Sequence, residues 1–159
     1  MSISDLIVVM KLGVVQQIGK PQEVYENPTN LFVAKFLGTP PINVFKGTVN
    51  GGKLYIGNSA VLDVPGVKNQ DVHVGIRPEG FIVDDNGPLT CGLSNLEVMG
   101  RDTSVVATSP ASANPIIRAI IDSDVKVNSE AKEIRFSLKP HKVFLFNYET
   151  EERIPFEVN

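Results

Sequence analysis

The sequence holds few of the residues that most often carry chemistry. In 159 residues it has one cysteine, two histidines and no tryptophan. One cysteine cannot form an intrachain disulfide, and with only His73 and His141 beside it Cys91 does not make a convincing zinc site. We expect Cys91 to be a small buried residue, so neither disulfide nor metal chemistry is predicted.

Long apolar runs and a surplus of positive charge are also missing. The longest apolar runs are short, such as residues 6–10, whereas a membrane-spanning helix needs about 18 or more apolar residues. No basic region with a following apolar stretch begins at Met1, so no secretion signal is predicted. The net charge of −3 disfavours binding to nucleic acid or anionic membranes, because both need a basic surface. A soluble, cytoplasmic protein is expected.

What the chain does contain favours β-structure. Val and Ile together number 34 against 18 Leu and Ala, and 13 Gly and 11 Pro interrupt the chain. Branched side chains suit strands, and frequent Gly and Pro indicate many turns. A mainly β protein is predicted.

Residues 1–40 differ from the rest. Apolar runs at 6–10 and 14–18 flank Gly13 and predict an antiparallel strand pair. This piece is too small to bury its own apolar faces. We therefore expect its strands to swap into a neighbouring chain, to fold onto the barrel expected in residues 41–159, or to stay mobile.

Two short helices are predicted after the strand pair. Pro21 suits the first helical position, and Asn27-Pro28 ends that helix. Thr29 or Asn30 can cap a second helix, which Gly38 closes.

From residue 41 to residue 159 short strands recur about every 8 to 12 residues, which is typical of a barrel or sandwich. Asn50-Gly51 predicts a tight hairpin turn. The segment 109–115, with two prolines, is predicted to be a mobile loop. The predicted strands are 45–49, 53–56, 72–76, 93–99, 103–108, 116–121, 133–138 and 142–146.

No catalytic, cofactor or metal site is predicted. Residues 13–20 come closest to a phosphate-binding loop, but five residues separate the two glycines and Pro21 stands where a metal-binding hydroxyl belongs. His73 and His141 are interpreted as exposed strand residues. Paired acids such as Asp84-Asp85 fit solvated turns rather than a calcium-binding loop.

The stretch Gly75-Ile76-Arg77-Pro78-Glu79 is different in kind, because an apolar strand ends there in two charges around a proline. The plain interpretation is an Arg–Glu pair that shapes a turn. The alternative is a contact surface, since Pro78 fixes the turn and Arg77 can make bidentate contacts.

Residues 17–38, QIGKPQEVYENPTNLFVAKFLG, resemble the end of the nucleotide-binding domain in ATPase subunits of ABC importers of the maltose and glycerol-phosphate type. Residues 5–13 resemble the strand pair that follows this family's switch histidine. The sequence departs from the family at Asn147 and Glu151, where the closing turn usually has Asp and Gly, and at Gly80, where a bulkier polar residue is common. Further similar stretches are the linker at 39–43, the regulatory-domain motif at 75–79, the next marker at 96–103 and the closing strand and turn at 144–154.

The resemblance implies two parts. Residues 1–40 would be the C-terminal tail of a nucleotide-binding domain, and residues 41–159 a regulatory domain of the TOBE type with an OB-fold-like β-barrel. The phosphate loop, signature, catalytic carboxylate and switch histidine would lie before Met1. ATP and Mg²⁺ would then bind the longer parent, while this piece is neither an enzyme nor a cofactor-binding protein.

The resemblance also implies partners. They are a second copy of the chain in a homodimer, the importer's membrane subunits and, in some members, a regulatory protein, with the parent on the cytoplasmic face of the cell membrane and no nucleic acid. The candidate regulatory or dimer-interface residues are Gly75, Arg77, Pro78, Glu79, Glu97 and Gly100.

Other hypotheses remain open at this stage. The importer could carry sugars, or instead polyamine, iron, sulfate or molybdate. A free-standing OB-like module that binds a ligand, and an enzyme with an unrecognised site, are the hypotheses from other classes.

Overall fold

A computed structural model describes residues 5–158 of the chain. Met1–Ser4 and Asn159 lie outside the described residues. The prediction that no secretion signal begins at Met1, and the start of the first predicted part, fall on Met1–Ser4. Neither α-helix in residues 5–158 has the length and apolar character needed to cross a membrane.

The described chain is mainly β, as predicted, with two short α-helices near its start. The elements are β1 (Ile7–Lys11), β2 (Val14–Gly19), α1 (Pro21–Glu26), α2 (Leu31–Phe36), β3 (Asn43–Asn50), β4 (Lys53–Ile56), β5 (Ser59–Asp63), β6 (Gln70–Ile76), β7 (Phe81–Val83), β8 (Leu89–Met99), β9 (Asp102–Thr108), β10 (Ile117–Asp122), β11 (Glu133–Leu138), β12 (Val143–Asn147) and β13 (Arg153–Ile154). Two 3₁₀ turns, Pro78–Gly80 and Pro140–Lys142, follow β6 and precede β12.

Two antiparallel sheets build the body. One has the strand order β13-β12-β6-β3-β4-β5 and the other the order β10-β9-β8-β11-β7. Strand β5 packs against β8 and β11, which brings the sheets together into a nearly closed, barrel-like shell. The inward-facing residues of both sheets form one buried core, which includes Phe45 and Val74 from the first sheet and Ile117 and Phe136 from the second. This agrees with the barrel or sandwich predicted from the strand pattern and with the OB-fold-like class that the family resemblance implies.

The hairpin turn between β3 and β4 is present with a small difference. Its two loop residues are Gly51 and Gly52, with φ angles of 60° and 74°. The positive φ angles therefore belong to both glycines, while Asn50 is the last paired residue of β3.

Three strands were not predicted. They are β5, β7 and β13, which have five, three and two residues. Segments this short show too little alternation of apolar and polar residues to be predicted as strands from the sequence. They are strands because they pair with neighbouring strands of the sheets.

The segment 109–115, predicted to be a mobile loop, is hydrogen-bonded to the barrel. The backbone N–H of Lys46 donates to the carbonyl of Ala111, and that of Ala113 to Val44, both at 2.8 Å. These bonds continue the β3 ladder along this segment. The two prolines at its ends mark the loop but do not free it from the sheet.

The first part folds in layers. The strand pair β1–β2 is antiparallel as predicted and packs on the helices through a small core of Val9, Val24 and Val33. Helix α2 packs on the barrel through Leu31 and Ala34, within a second cluster that also contains Ile42, Val44, Phe144 and Phe146. The strand pair was predicted to swap, to fold onto the barrel or to stay mobile; in the structure it packs instead on α1 and α2, and α2 is the element that packs on the barrel.

The outward face of β1–β2 has no cover within residues 5–158. Val8, Val14 and Ile18 are each half or more exposed, at 50%, 62% and 58%.

Gly75 in β6 makes room for the second cluster. A Cβ atom at this position would lie 2.8 Å from Ile42 Cδ1 and 3.2 Å from Phe146 Cε2. Both neighbours are buried, so neither can move away into solvent. The absence of a side chain at Gly75 therefore lets Ile42 and Phe146 lie flat on the sheet beneath α2.

We expect Gly75→Ala to lower the free energy of unfolding by about 1 to 3 kcal/mol, the usual effect of overpacking a core. Ile42→Val removes the clashing Cδ1 atom, so Gly75→Ala should cost less in that background. Urea denaturation of the wild type, both single variants and the double variant measures the coupling. If the two substitutions changed the free energy of unfolding additively, the contact between Ile42 Cδ1 and a side chain at position 75 would not be what limits the packing.

Candidate functional site

Arg77 is the largest side chain that is fully buried in the described chain. It follows the last residue of β6 and precedes Pro78, which begins the 3₁₀ turn. Pro78 holds Arg77 in an extended conformation, with φ −63° and ψ 149°. The side chain consequently points away from the sheet, into the space beneath the two helices.

The guanidinium of Arg77 is bonded to the ends of both helices. Its Nη1 donates to the carbonyls of Ala34 and Leu37, each at 2.9 Å, and its Nη2 donates to the carbonyl of Tyr25 at 2.8 Å. Carbonyls in the last turn of a helix lack intrahelical partners and lie at the negative end of the helix dipole. One cation therefore caps α1 and α2 together.

Aromatic rings enclose the same guanidinium. Its central carbon lies 3.9 Å from the centre of the Tyr25 ring and 5.6 Å from that of Phe144. Aromatic faces attract cations at these distances, most strongly where water is excluded. Burial lowers the pKa of Arg77, and the nearby Tyr25 and Glu79 oppose that effect.

Glu79 completes the arrangement from the other side of Pro78. The hydroxyl of Tyr25 donates to the Glu79 carboxylate, at 2.7 Å from Oε2 and 2.9 Å from Oε1. Lys142 Nζ lies 3.6 Å from the same carboxylate. Burial raises the pKa of Glu79, but the Tyr25 hydrogen bond, the backbone bond and the two cations outweigh it and lower the pKa below its usual value.

A backbone bridge makes a second connection between the first part and the barrel. Leu31 N–H donates to the carbonyl of Glu151, and Arg153 N–H donates to that of Thr29, both at 3.0 Å. Glu151 has a φ of 64°, in the left-handed region that favours glycine. The sequence departure noted at Glu151 therefore falls where the chain needs an unusual backbone conformation.

The segment closest to a phosphate-binding loop has a different structure. Residues 14–19 form the extended strand β2, paired with β1. A phosphate loop needs consecutive N–H groups wrapped around one centre, so residues 13–20 do not fit the phosphates of ATP. Within residues 5–158 no group of three or more His, Cys, Asp and Glu side chains is arranged to hold a metal ion.

Known proteins resemble this chain along nearly its whole length. Residues 43–82, from β3 through the 3₁₀ turn after Arg77, match the family described as the CysA C-terminal regulatory domain. An sn-glycerol-3-phosphate import ATP-binding protein, UgpC of Jannaschia sp. (strain CCS1), is 31% identical over 97% of this chain. The oligosaccharides import ATP-binding protein MsmX of Bacillus subtilis (strain 168) is 33% identical over the same share. Along nearly all of its length this chain is similar to ABC importer ATP-binding subunits, and residues 43–82 match the C-terminal regulatory domain of that kind of subunit.

The chain spans less than half the length of these relatives, 43% of UgpC and 46% of MsmX. A relative named for a different cargo also matches. The Fe(3+) ions import ATP-binding protein FbpC of Fusobacterium nucleatum is 39% identical over 54% of this chain and 24% of its own length.

The six candidate interface residues form two groups in different sheets. Gly75, Arg77, Pro78 and Glu79 lie at the end of β6, where Arg77, Pro78 and Gly75 are buried.

Glu97 and Gly100 lie at the exposed β8–β9 hairpin. Glu97 is 3.7 Å from Arg118, and Gly100 has a φ of 67° in the turn. An interface through the hairpin stays a prediction. Arg77 itself presents no surface to a partner, because its exposure is 0%.

The sequence interpretation missed Tyr25 and Lys142 as members of the Arg77 site. The predicted Arg77–Glu79 pair is instead an arrangement in which each charge has partners from other elements. Tyr25 stands 52 residues before Arg77, and no local spacing connects the two.

Arg77→Lys keeps the charge but loses the fork that reaches three carbonyls at once. We expect it to lower the free energy of unfolding by at least about 1.5 kcal/mol, the loss of one or more charge-assisted hydrogen bonds. Hydrogen exchange should show the protection of residues 21–37 falling while β8 and β9 keep theirs. Arg101→Lys, on the exposed β8–β9 turn, is the matched control and should change neither quantity.

The Tyr25–Glu79 bond should make the fold acid-sensitive. The pKa of Glu79 is lower in the folded state than in the unfolded chain. Its contribution to the free energy of unfolding is therefore present above the ordinary carboxylate pKa and is lost as the pH falls through the folded-state pKa. We expect unfolding free energies measured from pH 6 down to about pH 3 to fall less steeply for Tyr25→Phe than for wild type. Parallel curves would mean that Tyr25 does not set the titration of Glu79.

Proposed function

We propose that this chain is the regulatory and dimerisation part of the ATP-binding subunit of an ABC importer. The match of residues 43–82 to a C-terminal regulatory domain carries the proposal, because this segment contains the turn that holds Arg77. Residues 1–40 would be the tail of the nucleotide-binding domain, and residues 41–159 the regulatory domain.

In this proposal the Arg77 site is a rigid joint. A guanidinium that caps two helices of one part, and is anchored by β6 of the other, couples the two parts so that they move as one. Movement of the nucleotide-binding part would then reach the barrel without being absorbed at the linker. Such a joint suits a domain that keeps two subunits together while their ATP sites open and close.

The cargo we propose is a carbohydrate or a related polyol. Two relatives that cover 97% of the chain are named for importing oligosaccharides and for transporting sulfoquinovosyl glycerol. Iron is the second candidate, because the FbpC relative is 39% identical over its matched region. Other subunits of an importer select the cargo, so the barrel would serve either transporter unchanged.

The remaining activities belong to the longer protein in this proposal. ATP and Mg²⁺ would bind there and be used for transport, and the membrane subunits would hold the complex on the cytoplasmic face of the cell membrane. This part alone would hydrolyse nothing. A regulatory protein could bind the barrel's exposed surface.

The proposed dimer surface is the tip of the β8–β9 hairpin. Val98 and Met99 are 74% and 53% exposed there, beside Glu97 and Gly100. Adjacent exposed apolar side chains on a projecting hairpin are typical of a contact surface rather than of a solvated turn. The uncovered face of β1–β2 is the competing surface for self-association.

Sedimentation of the wild type, Val98→Lys and Ile18→Lys over a range of concentrations distinguishes these surfaces. We expect a wild-type dimer that Val98→Lys weakens by about tenfold or more, because a lysine would be desolvated in an apolar contact. Ile18→Lys, equally polar and on the β1–β2 face, should leave the dimer intact. A dimer sensitive only to Ile18→Lys, or a monomer at every concentration, would contradict the proposal.

A further inference from the structure

A cavity of about 510 Å³ lies beside the Arg77 site. Helix α1, the 3₁₀ turn before β12, and the C-terminal residues from β13 onward surround it. Its walls include Tyr25, Arg77, Lys142, Phe144, Arg153 and Phe156. A volume in this range holds a small organic molecule rather than a single ion.

Two arginines lining this cavity have no carboxylate partner in the part of the chain that the structure describes. Within residues 5–158 no carboxylate oxygen lies within 4.0 Å of either Arg77 or Arg153, and the Nε atoms of both are buried without a hydrogen bond. Burial lowers the pKa of both guanidiniums. Buried cations ordinarily have an anionic partner, because taking an unpaired charge out of water is strongly unfavourable.

Arg153 is the more available of the two. Its Nη1 makes one long bond, 3.5 Å to the carbonyl of Pro28, and its Nη2 makes none with residues 5–158. The ring of Phe144 supports the guanidinium from one side at 4.7 Å. A guanidinium placed beside an aromatic ring, with donors that make no bond to residues 5–158, is arranged to receive a planar or tetrahedral anion.

The charges around the cavity do not balance. Among the described residues, Arg77, Lys142 and Arg153 line it together with one carboxylate, that of Glu26, and Glu79 lies behind Lys142. Within residues 5–158 a surplus of one to two positive charges therefore remains. A phosphate monoester carries about −1.5 to −2 at neutral pH, which matches this surplus better than a carboxylate does.

The rest of the wall is polar at Asn27 and His141 and apolar elsewhere. Val143, Phe144 and Phe156 line it together with Pro140, so a ligand with a compact apolar or ring-shaped body would fit behind its anionic head. We propose that this cavity binds a small phosphate monoester, with Arg153 and Lys142 contacting the phosphoryl oxygens. Arg77, which is buried in the cavity wall, would contribute a fixed positive charge without touching the ligand. A bound ligand would therefore stabilise the Arg77 contacts that fasten α1 to the barrel.

Phenyl phosphate is a suitable probe, because it combines a phosphoryl dianion with a ring of the right size. Calorimetric titration of the full 159-residue chain should show saturable binding. Phenol, which lacks the charge, should not bind, inorganic phosphate should bind more weakly, and benzoate should also be weaker than phenyl phosphate. Benzoate that binds as tightly as phenyl phosphate would overturn the phosphoryl assignment.

Arg153→Gln should weaken phenyl phosphate binding by about tenfold or more, the equivalent of one charge-assisted hydrogen bond. Arg101→Gln removes the same charge from the exposed β8–β9 turn and should bind like wild type. Equal losses in both variants, or no saturable binding by wild type, would overturn the proposal.

A measurement on the wild type alone guards against misfolding of the variant. Phenyl phosphate should shift the amide resonances of His141, Phe144 and Arg153 in a titration followed by NMR, and leave those of β8 and β9 in place. Shifts confined to other lysine-rich surfaces would place the probe elsewhere and refute the assignment. The result does not depend on the importer function proposed above.

Discussion

The burial of one guanidinium organises the contact between the two parts of this chain. Arg77 gives up water for three carbonyl oxygens and two aromatic faces, and those carbonyls are the ones that two short helices leave unpaired at their ends. Six-residue helices are marginal in isolation. Their presence here follows from what they pack against and from the cation that caps them.

Other features of the contact support that cation. Pro78 sets the direction in which Arg77 leaves the strand, and Gly75 lets the apolar residues beside it lie close to the sheet. Tyr25 stacks on the guanidinium and at the same time donates its hydroxyl to Glu79. Gly75, Arg77, Pro78 and Glu79 thus each have a separate physical role in this contact.

Local signals in the sequence were sufficient for much of the fold. Pro21, Asn30 and the Gly51-Gly52 turn act over three or four residues, and the structure confirms the elements they mark. Asn30 caps α2 by accepting the Val33 N–H at 2.9 Å. The alternation in β6 and β11 likewise matches their buried and exposed faces.

The features that the sequence did not predict depend on contacts between distant residues, or place a residue where its type is seldom found. Polarity assigns an arginine to the surface, yet Arg77 is buried because its partners come from elements 40 to 52 residues away. The strands β7 and β13 exist because a neighbouring strand offers a ladder. The cavity between Arg77 and Arg153 brings together residues that no spacing in the sequence connects.

The single cysteine has a practical consequence. Cys91 is only 2% exposed, and this burial raises the pKa of its thiol to about 11. Little thiolate therefore exists near neutral pH. A cysteine engineered on an exposed turn would therefore take up a maleimide dye or a nitroxide ahead of Cys91, with no need to remove the native residue first. The natural sequence is in this way already suited to distance measurements between its helical part and its barrel.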